Sequence, residues 1–453
     1  MVPTSNYTPV SDFYNGKTIF VTGGTGFLGK VLIEKLLYSC PGISKIYMLV
    51  REKRNLTATD RMKKFFDCPV FDRLKKEKPE NLKKLKPVNG DLSQPCLGID
   101  PKELQVIKDE VTIVFHFAAT VKFNEPLSIA MKINVEGTEQ VIDLCHSLKK
   151  IEVFVYMSTI FSNTDDKLNS VEERLYRSPK EVDEIYKMIK ENDPREVFNP
   201  EVLDGRPNTY TFTKAVAENI VAQKRGNLPT IMIRPSVVTP AKEEPVRGWV
   251  ANWMGPTATL LYLSRGWIRC HYGEDDFTFE IIPVDYVVNL TIISAAKFKR
   301  SDDIPIYHSC TSALHPVTFK ETASYLIKES CKKKLVDIPF PWITFSRSLW
   351  FLGIISFFMQ LLPAYIADLY LFICGHPTRY VKMLKKYSQN MSALHYFSSR
   401  TWYMTANRSQ ELIDGLSAED QKIFPCSPAS IDWSEYMATY LHGVYRFLLK
   451  SHY

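Results

Sequence analysis

Residues 17–37 read KTIFVTGGTGFLGKVLIEKLL, and this stretch decides the fold. Its first part, residues 17–21, is an apolar run that predicts a short buried strand. Glycines then crowd a tight turn, and from Phe27 onward apolar side chains such as Val31 and Leu32 recur at helical spacing. The stretch therefore predicts a strand, a turn and a helix.

The same alternation continues through the first 300 residues. Further short apolar strands are predicted at residues 46–50, 87–89, 111–117, 153–157 and 230–234, with a helix at residues 211–224. Strands that alternate with helices form a parallel sheet with helices on both faces. We therefore predict an α/β fold with a Rossmann-type, doubly wound parallel sheet in a first domain of residues 1–300.

The composition is that of a folded protein of two or three domains. The 453 residues are 45% hydrophobic and 24% charged, which excludes disorder. The net charge of +7 comes from lysine clusters interspersed with acidic residues, and nothing in it calls for a nucleic acid. Nine cysteines without a C-x-x-C pair or a zinc-type His/Cys spacing predict a reducing compartment with no disulfide framework and no metal. Residues 1–15 are polar and do not form a secretory signal, so the protein is expected to face the cytosol.

The glycine turn has the pattern of a dinucleotide site. Gly23 allows the tight turn, Gly26 lets the backbone approach a pyrophosphate, and Gly29 lets the helix pack on the sheet. The helix N-terminus adds N–H donors and a partial positive charge. From this segment we assign to the cofactor Gly23, Thr25, Gly26, Phe27, Leu28 and Gly29.

The end of the second predicted strand distinguishes the two nicotinamide cofactors. An acidic residue there would bind a ribose hydroxyl and repel a 2′-phosphate, but this strand ends in Arg51. A guanidinium pairs with a phosphate through two N–H groups and stacks on adenine. We therefore predict NADPH, with Arg51 at its 2′-phosphate and further charge from Lys53 and Arg54.

Other cofactor contacts are predicted where the third and fourth strands end. Asp91, followed by Leu92, is placed to accept a hydrogen bond from the adenine amino group. The small side chains of Ala118 and Ala119 would let the backbone approach the cofactor. We interpret His116, just before them, as a packed histidine rather than an acid or base.

Tyr210 and Lys214 are four residues apart, so a helix places both side chains on one face. Ser158 and Thr159 follow the predicted strand at residues 153–157, and their hydroxyls are expected in the same cleft. These groups suffice for carbonyl reduction. As a hydride reaches the carbonyl carbon, Tyr210 protonates the oxygen, and Ser158 or Thr159 donates a hydrogen bond to it. The order of the strand ends slightly favours Thr159. Lys214 is expected to lower the pKa of Tyr210 and to hold the nicotinamide ribose.

Three further segments adjoin this candidate site. Pro235 and Ser236 follow the strand at residues 230–234, where their backbone could contact the nicotinamide, although a plain strand-ending turn explains them equally well. Residues 165–207 are charged, rich in proline and without a strand signal, and we interpret them as an insertion that shapes the substrate entrance. Residues 248–273 contain three tryptophans, which suit either a lipid chain or a packed core.

The second half contains a long apolar segment. Residues 348–367 carry no charge, and the apolar character extends to residue 374, with basic residues on both sides. Positive charge at both ends favours a membrane hairpin around Pro363, with a packed soluble core and a single span as alternatives. We predict a connecting region at residues 301–347 and a helical, membrane-associated domain at residues 348–453. The flanking basic residues are Arg347, Arg379, Lys382, Lys385 and Lys386.

The sequence resembles the extended short-chain dehydrogenase/reductase superfamily and, within it, the alcohol-forming fatty acyl-CoA reductases. The matching pieces span nearly the whole chain: residues 17–37, SKIYMLVR (44–51), PNTYTFTKAVAE (207–218), IRPS (233–236) and LLPAYIADL (361–369). The glycine turn and the tyrosine-lysine pair occur across the superfamily, whereas the insertion and the C-terminal block are specific to the family.

This resemblance implies two successive reductions in one site. A long-chain fatty acyl-CoA thioester would become an aldehyde and then a primary alcohol, with two NADPH consumed and CoA released. The resemblance also implies attachment to endoplasmic reticulum or peroxisomal membranes and roles in wax, pheromone or ether-lipid supply. Some members carry a terminal apolar span that residues 442–453 lack, so anchoring is expected to rest on residues 348–374.

Two alternatives share part of this pattern. An extended reductase that acts on a sterol, a flavonoid or a sugar nucleotide would have the same N-terminal motifs, but the insertion and the apolar segment argue against it. A non-catalytic membrane scaffold could keep the nucleotide fold as a redox sensor, but it would have no physical need for Tyr210 together with Lys214.

Overall fold

Seven parallel strands form the central sheet of the computed structural model, which describes residues 7–51, 58–164, 170–191, 203–399 and 401–451. All strands of the described residues, inside and outside this sheet, are in chain order β1 Thr18–Thr22, β2 Lys45–Val50, β3 Leu85–Asn89, β4 Ile113–His116, β5 Val153–Met157, β6 Thr230–Pro235, β7 Val237–Thr239, β8 Cys270–Tyr272, β9 Ile281–Pro283, β10 Ile306–Ser309 and β11 Thr344–Ser346. The central sheet has the order β3-β2-β1-β4-β5-β6-β10, and two small parallel pairs, β7 with β9 and β8 with β11, lie outside it.

Helices flank both faces of this sheet, and further helices lie outside it. They are α1 Val10–Phe13, α2 Phe27–Ser39, α3 Ala58–Phe66, α4 Asp72–Glu77, α5 Pro101–Glu110, α6 Leu127–Met131, α7 Gly137–Ser147, α8 Val182–Glu191, α9 Thr209–Lys224, α10 Thr257–Ser264, α11 Val284–Ala296, α12 Phe319–Lys332, α13 Leu349–Ser356, α14 Leu362–Ile373, α15 Tyr380–Ser398, α16 Asn407–Asp414, α17 Ala418–Ile423 and α18 Trp433–Gly443. Short 3-10 and π turns join several of them.

The strands read as continuous apolar runs because both faces of the sheet are buried. Successive side chains of β1 point to opposite faces, so Ile19 and Val21 pack on one side with α2 and α11. Phe20 packs on the other side, where the core is built with α5, α7 and α9. The predicted doubly wound parallel sheet is confirmed.

The helix that carries Tyr210 begins earlier than the spacing predicts. The prediction places its start at residue 211, whereas α9 begins at Thr209. The side chain of Asn208 accepts a hydrogen bond from the backbone N–H of Thr211 at 2.9 Å, which satisfies one of the free donors of the first turn. This cap fixes the start of the helix directly before the tyrosine.

The C-terminal helices share the core of the sheet. α18 packs against α12, and its rings Trp433, Tyr436 and Tyr440 belong to the same buried cluster as β1 and α2. Trp249 and Trp267 are also buried, which agrees with the packed-core interpretation of residues 248–273, while Trp253 is partly exposed. The division at residues 300 and 347 stays a prediction.

The insertion is described in part, since residues 165–169 and 192–202 lie outside the described residues, as do Lys53 and Arg54. Within the described parts, Val171 forms a β-bridge with Met404, and α8 buries Ile185. The insertion therefore contacts the C-terminal region. Its role at a substrate entrance stays a prediction.

The apolar segment is one continuous helix from residue 349 to residue 373, so the predicted hairpin is wrong. Pro363 lies in the first turn of α14, directly after a π turn at residues 357–361, and the helix continues through it. The packed-core alternative is also wrong, because only 17% of the most apolar 18-residue stretch of this helix is buried. The buried residues of this helix are four or eight positions apart, so they lie on one face, which packs against the protein: Leu352, Gln360, Ala364 and Asp368.

The rest of this helix presents large apolar side chains to solvent. We call this surface the apolar face. It consists of Leu349, Trp350, Phe351, Ile354, Phe357, Phe358, Met359, Leu362, Tyr365, Ile366, Leu369, Tyr370, Phe372 and Ile373.

Candidate active site

The candidate residues converge at the carboxyl ends of the parallel strands, where ligands bind in sheets of this type. A cleft of about 530 Å³ opens beside the turn after β1 and the segment after β4. Eight of the predicted cofactor residues line this cleft: Gly23, Thr25, Gly26, Arg51, Asp91, Leu92, Ala118 and Ala119. The structure thus brings together residues from four strand ends.

The glycine turn has the geometry that its spacing predicts. Gly23 has a φ of +74°, and a Cβ at this position would lie 2.6 Å from the backbone N of Ala118. A Cβ at Gly29 would lie 2.3 Å from the carbonyl oxygen of Gly23, so the helix can pack this close to the turn only with glycine there. Phe27 turns away and packs on Trp249, with ring centroids 5.1 Å apart.

A second guanidinium lies beside Arg51 in the cleft. Arg61, on α3, lines the same cleft, and its Nη2 is 3.4 Å from the hydroxyl of Thr25. Burial lowers the pKa of Arg61, and the positive charge of Arg51 lowers it further. The Nη1 atom of Arg61 is buried without a hydrogen-bond partner among the described residues. Two facing cations with an unused donor form a site suited to a phosphate.

Sequence reasoning missed Arg61 because it lies 11 residues past β2, in a helix, where no motif spacing marks it. Asp91 is predicted to bind adenine, and its carboxylate lies 3.9 Å from the Nε of Arg51 and accepts hydrogen bonds from the backbone N–H and hydroxyl of Ser93. The carboxylate is therefore held at the rim of the cleft by its own turn.

His116 is a packed histidine, as predicted. Its ring nitrogens form hydrogen bonds with the hydroxyls of Thr22 at 2.6 Å and Thr138 at 3.0 Å. Burial lowers its pKa to about 3, and the charge of Lys214 adds to this effect. A group that stays neutral at physiological pH and is fully enclosed does not serve as the acid.

Tyr210 and Thr159 lie close together. Tyr210 is half-buried at the start of α9, and the hydroxyl of Thr159 is near enough to lower the pKa of the phenol. Burial raises the pKa of Tyr210 to about 12, and the Thr159 contact opposes the rise. In the protein alone burial therefore determines the direction of this shift, and the expected lowering of the Tyr210 pKa by Lys214 stays a prediction.

Lys214 is buried on α9, four residues after Tyr210. Its ammonium donates hydrogen bonds to the carbonyl oxygen of Met157 at 2.7 Å and to the hydroxyl of Tyr156 at 3.2 Å. Burial lowers its pKa to about 7, while the negative charge of Glu218 opposes the shift. Lys214 is thus fixed at the end of β5, with a proton that it can lose near neutrality.

Ser158 points away from Tyr210. Its hydroxyl donates to the carboxylate of Glu218 at 2.5 Å. The same carboxylate accepts from Ser162 at 3.0 Å, from Asn163 at 2.8 Å and, through two bonds of 2.9 and 2.7 Å, from Arg234. Ser158 therefore belongs to a buried ionic network, and Thr159 is the hydroxyl that faces the tyrosine.

Sequence reasoning missed Glu218 and Arg234 as a pair, although both lie inside the quoted blocks PNTYTFTKAVAE and IRPS. Burial alone would raise the pKa of Glu218, but the charge and hydrogen bonds of Arg234 outweigh it, so the pKa lies below its ordinary value. Arg234 also reaches the Nε2 of His308, whose Nδ1 contacts the carbonyl of Thr405. The network joins the site to the C-terminal region.

Pro235 and Ser236 do not line the cleft. Both are buried, the carbonyl of Pro235 accepts a hydrogen bond from the hydroxyl of Thr159 at 3.4 Å, and the backbone N–H of Ser236 donates to Ser309. In the protein alone Pro235 thus holds the hydroxyl of Thr159, and Ser236 joins β6 to β10. A contact with the nicotinamide stays a prediction.

We expect Thr159→Val to lower kcat by about 10²–10³-fold, because the predicted role of this hydroxyl is to donate a hydrogen bond to the reacting oxygen. Ser158→Ala should lower kcat by less than about tenfold and reduce mainly the free energy of unfolding, since its hydroxyl serves Glu218. Steady-state kinetics and urea unfolding of both variants check this. A larger loss of kcat in Ser158→Ala would contradict the assignment.

Known proteins resemble the chain in sequence over nearly its whole length. Two family models match the chain, and both are described as male sterility protein. The NAD-binding model matches residues 21–291, and the model named Sterile matches residues 359–451. The chain is 33% identical to fatty acyl-CoA reductase 1 of Xenopus laevis over 449 residues, which are 98% of this chain and 86% of the relative. It is 34% identical to fatty acyl-CoA reductase 2 of Mus musculus over 452 residues, with the same coverage.

Solved structures resemble the fold. The terminal reductase domain of the myxalamid pathway superposes with a TM-score of 0.66 at 20% identity, over 96% of this chain and 92% of that one. A reductase domain of a nonribosomal peptide synthetase from Mycobacterium tuberculosis gives a TM-score of 0.59 at 18% identity, over 96% and 94% of the two chains. At these identities the likeness shows the fold alone.

Proposed function

This chain belongs to the fatty acyl-CoA reductase family, and from that premise we propose that it reduces a long-chain fatty acyl-CoA to the primary alcohol and free CoA, with two NADPH consumed. The observation that carries the proposal is the place of Tyr210: it lies near Thr159, and the hydroxyl of its neighbour Thr209 donates to the carbonyl of Glu125, which lines the nucleotide cleft. This set suits two consecutive carbonyl reductions in one place, since thioester and aldehyde each present one carbonyl oxygen.

The cleft fits a phosphorylated dinucleotide. The unused Nη1 donor of Arg61 and the charge of Arg51 suit a 2′-phosphate, and the first turn of α2 offers N–H groups to a pyrophosphate. A Cβ at Gly23 would collide with the backbone after β4. Because Gly23 has no Cβ, the turn can pass close to this backbone. When bound, NADPH supplies the hydride.

Side chains of the protein bind and protonate the carbonyl oxygen of the substrate. Thr159 donates a hydrogen bond to the carbonyl oxygen, and Tyr210 gives it the proton that its developing charge demands. Lys214 holds a proton at the end of β5, with Glu218 opposing the loss of that proton. In the first reduction the hydroxyl formed in this way loses its proton as the carbonyl forms again, the carbon–sulfur bond breaks, and the departing thiolate takes up a proton to become CoA. In the second reduction the aldehyde oxygen keeps its proton and becomes the alcohol hydroxyl.

The test of this proposal is NADPH oxidation by the purified full chain with palmitoyl-CoA, followed by assay of free CoA and of the lipid product. We expect oxidation that depends on palmitoyl-CoA and yields hexadecanol with CoA. Oxidation with sterol or sugar-nucleotide carbonyls, and none with palmitoyl-CoA, would overturn the proposal.

The preference for NADPH over NADH is tested at Arg61. We expect Arg61→Ala to raise the KM for NADPH by about tenfold or more, because it removes a charged hydrogen bond to the 2′-phosphate, and to leave the KM for NADH unchanged. Arg300→Ala is the control, since Arg300 is exposed and donates to the carbonyl of Asn227, outside the cleft. Equal effects on both cofactors would contradict the assignment.

We extend the proposal to a membrane contact through the apolar face, at the cytosolic side of the endoplasmic reticulum or peroxisomes. Exposed patches this apolar are unusual in soluble monomers. Three exposed lysines, Lys382, Lys385 and Lys386, lie in the first turns of α15, which follows directly, and suit anionic lipid. The one acid of the helix, Asp368, is turned inward, where it accepts backbone N–H groups at the start of α15.

We expect the triple variant Trp350→Ser, Phe358→Ser, Phe372→Ser to lose about hundredfold or more in affinity for vesicles of phosphatidylcholine and phosphatidylserine, because each large apolar side chain contributes about 1.5–3 kcal/mol when it leaves water. The control is Val106→Ser, Ile129→Ser, Leu314→Ser, which changes three exposed apolar residues elsewhere. Vesicle co-sedimentation measures both. Equal losses in the two variants would contradict a specific face.

A further inference from the structure

Aromatic rings gather beside Tyr210. The ring of Phe123 is stacked on that of Tyr210, with centroids 6.2 Å apart and planes at 23°. Phe397 contacts Phe123 at 5.6 Å and Phe161 at 5.0 Å. We call Phe123, Phe161 and Phe397 the aromatic cluster.

The three members come from the two strand ends of the site and from the C-terminal region. Phe123 is four residues past Ala119, and Phe161 is two residues past Thr159. Phe397 is in the last turn of α15. The sheet therefore supplies two rings next to the reacting groups, and the C-terminal region adds the third.

The cluster is packed on one part of its surface and accessible on another. Phe161 is buried, whereas Phe123 and Phe397 are half-buried, like Tyr210 itself. Tyr396 meets the ring of Phe397 edge-on at 5.3 Å and contacts Trp402 at 5.1 Å, and its hydroxyl donates to the carbonyl of Thr164 at 3.2 Å. Packed rings that keep part of their surface accessible offer a firm apolar wall.

The other end of α15 lies at the helix that carries the apolar face. Tyr380, its first residue, stacks on Trp267 with centroids 4.2 Å apart, and Leu384 belongs to the same small buried cluster as Ala364. The 19 residues of α15 span roughly 28 Å at 1.5 Å per residue. One helix thus runs from beside the apolar face to the aromatic cluster.

We propose that the aromatic cluster binds the first carbons of the substrate's acyl chain, next to the thioester, and that Phe397 is the contact supplied by the C-terminal region. This inference rests on the proposed function. The cluster is uncharged and apolar, so it suits a hydrocarbon chain and offers nothing to a sugar or a phosphate. Its place against Tyr210 and Thr159 would leave the carbonyl carbon at the reacting groups.

The test compares Phe397→Ala with Phe397→Leu and with Phe447→Ala, a half-buried phenylalanine at the far end of the chain. KM values are measured for palmitoyl-CoA, butyryl-CoA and NADPH. We expect Phe397→Ala to raise the KM for both acyl-CoA esters by about tenfold, because both share the first carbons, and to leave the KM for NADPH unchanged. Phe397→Leu should recover most of the loss, and Phe447→Ala should behave as the wild type.

Two results would overturn the inference. One is an unchanged KM for the acyl-CoA esters, or a change confined to palmitoyl-CoA, which would place the cluster away from the first carbons. The other is an equal rise in the KM for NADPH, which would make Phe397 a general structural residue. A wild-type chain that oxidises no NADPH with any acyl-CoA is a different result, since it removes the proposed function and this inference with it.

Discussion

Tyr210→Phe should lower kcat for palmitoyl-CoA reduction by about 10²–10⁴-fold, the range that a positioned proton donor contributes. The phenyl ring keeps the stacking on Phe123, so the fold and the KM values should stay close to those of the wild type. Only the proton donor is removed. The measurement is steady-state oxidation of NADPH together with quantification of the lipid product.

The control for this variant is Tyr403→Phe, which removes a hydroxyl from an exposed tyrosine. It should retain wild-type kcat. A Tyr210→Phe enzyme that keeps more than about a tenth of its kcat would contradict the role of the phenol as the proton donor.

Glu218→Gln should lower the free energy of unfolding by about 3–5 kcal/mol, because it leaves the buried guanidinium of Arg234 without its counter-charge. Both side chains are fully enclosed, and two hydrogen bonds join them. Urea unfolding measures the loss. Glu274→Gln is the matched control, since Glu274 pairs with Arg347 at 3.0 Å on the surface, where such a pair contributes about 1 kcal/mol or less.

The same variant should change the response to acid. The pKa of Glu218 is lowered in the folded chain, so its contribution is present above the unfolded carboxyl pKa of about 4.3 and is lost as the pH falls through the folded value. Glu218→Gln should lack this acid-dependent loss. Equal unfolding free energies for Glu218→Gln and Glu274→Gln would contradict the account of the network.

The sequence predicted the nucleotide turn correctly because its geometry is local. A strand, a glycine-rich turn and a helix within residues 18–39 leave few arrangements, and Gly23 and Gly29 occupy positions where a Cβ would collide. The sheet was predictable for a similar reason, since buried parallel strands are continuous apolar runs. The tyrosine-lysine pair was predicted from its spacing together with the glycine turn, Arg51 and the hydroxyls at a strand end.

Side-chain direction was not predictable in the same way. Ser158 and Thr159 are adjacent hydroxyls at one strand end, and only the position of Glu218, 60 residues away, determines which of them faces Tyr210. The pKa of Tyr210 is raised by its burial in the folded chain, which a pattern of two residues does not show. Arg61 is near Arg51 in space without any motif that links them.

The composition of the apolar segment did not predict its conformation. Charges on both flanks and a central proline suggested a hairpin, but a proline in the first turn of α14, following a π turn, leaves the helix unbroken. Whether an apolar helix is buried or exposed depends on the partners that the fold provides. Here the fold covers one narrow stripe and leaves the apolar face open.

The most direct test of the central claim uses palmitoyl-CoA and NADPH that carries deuterium in place of both hydrogens at C4 of the nicotinamide ring. The proposed function predicts hexadecanol with two deuterium atoms at C1, with two NADPH oxidised for each CoA released. Hexadecanal with one deuterium as the final product, or hexadecanol with only one deuterium at C1, would contradict two hydride transfers by this chain.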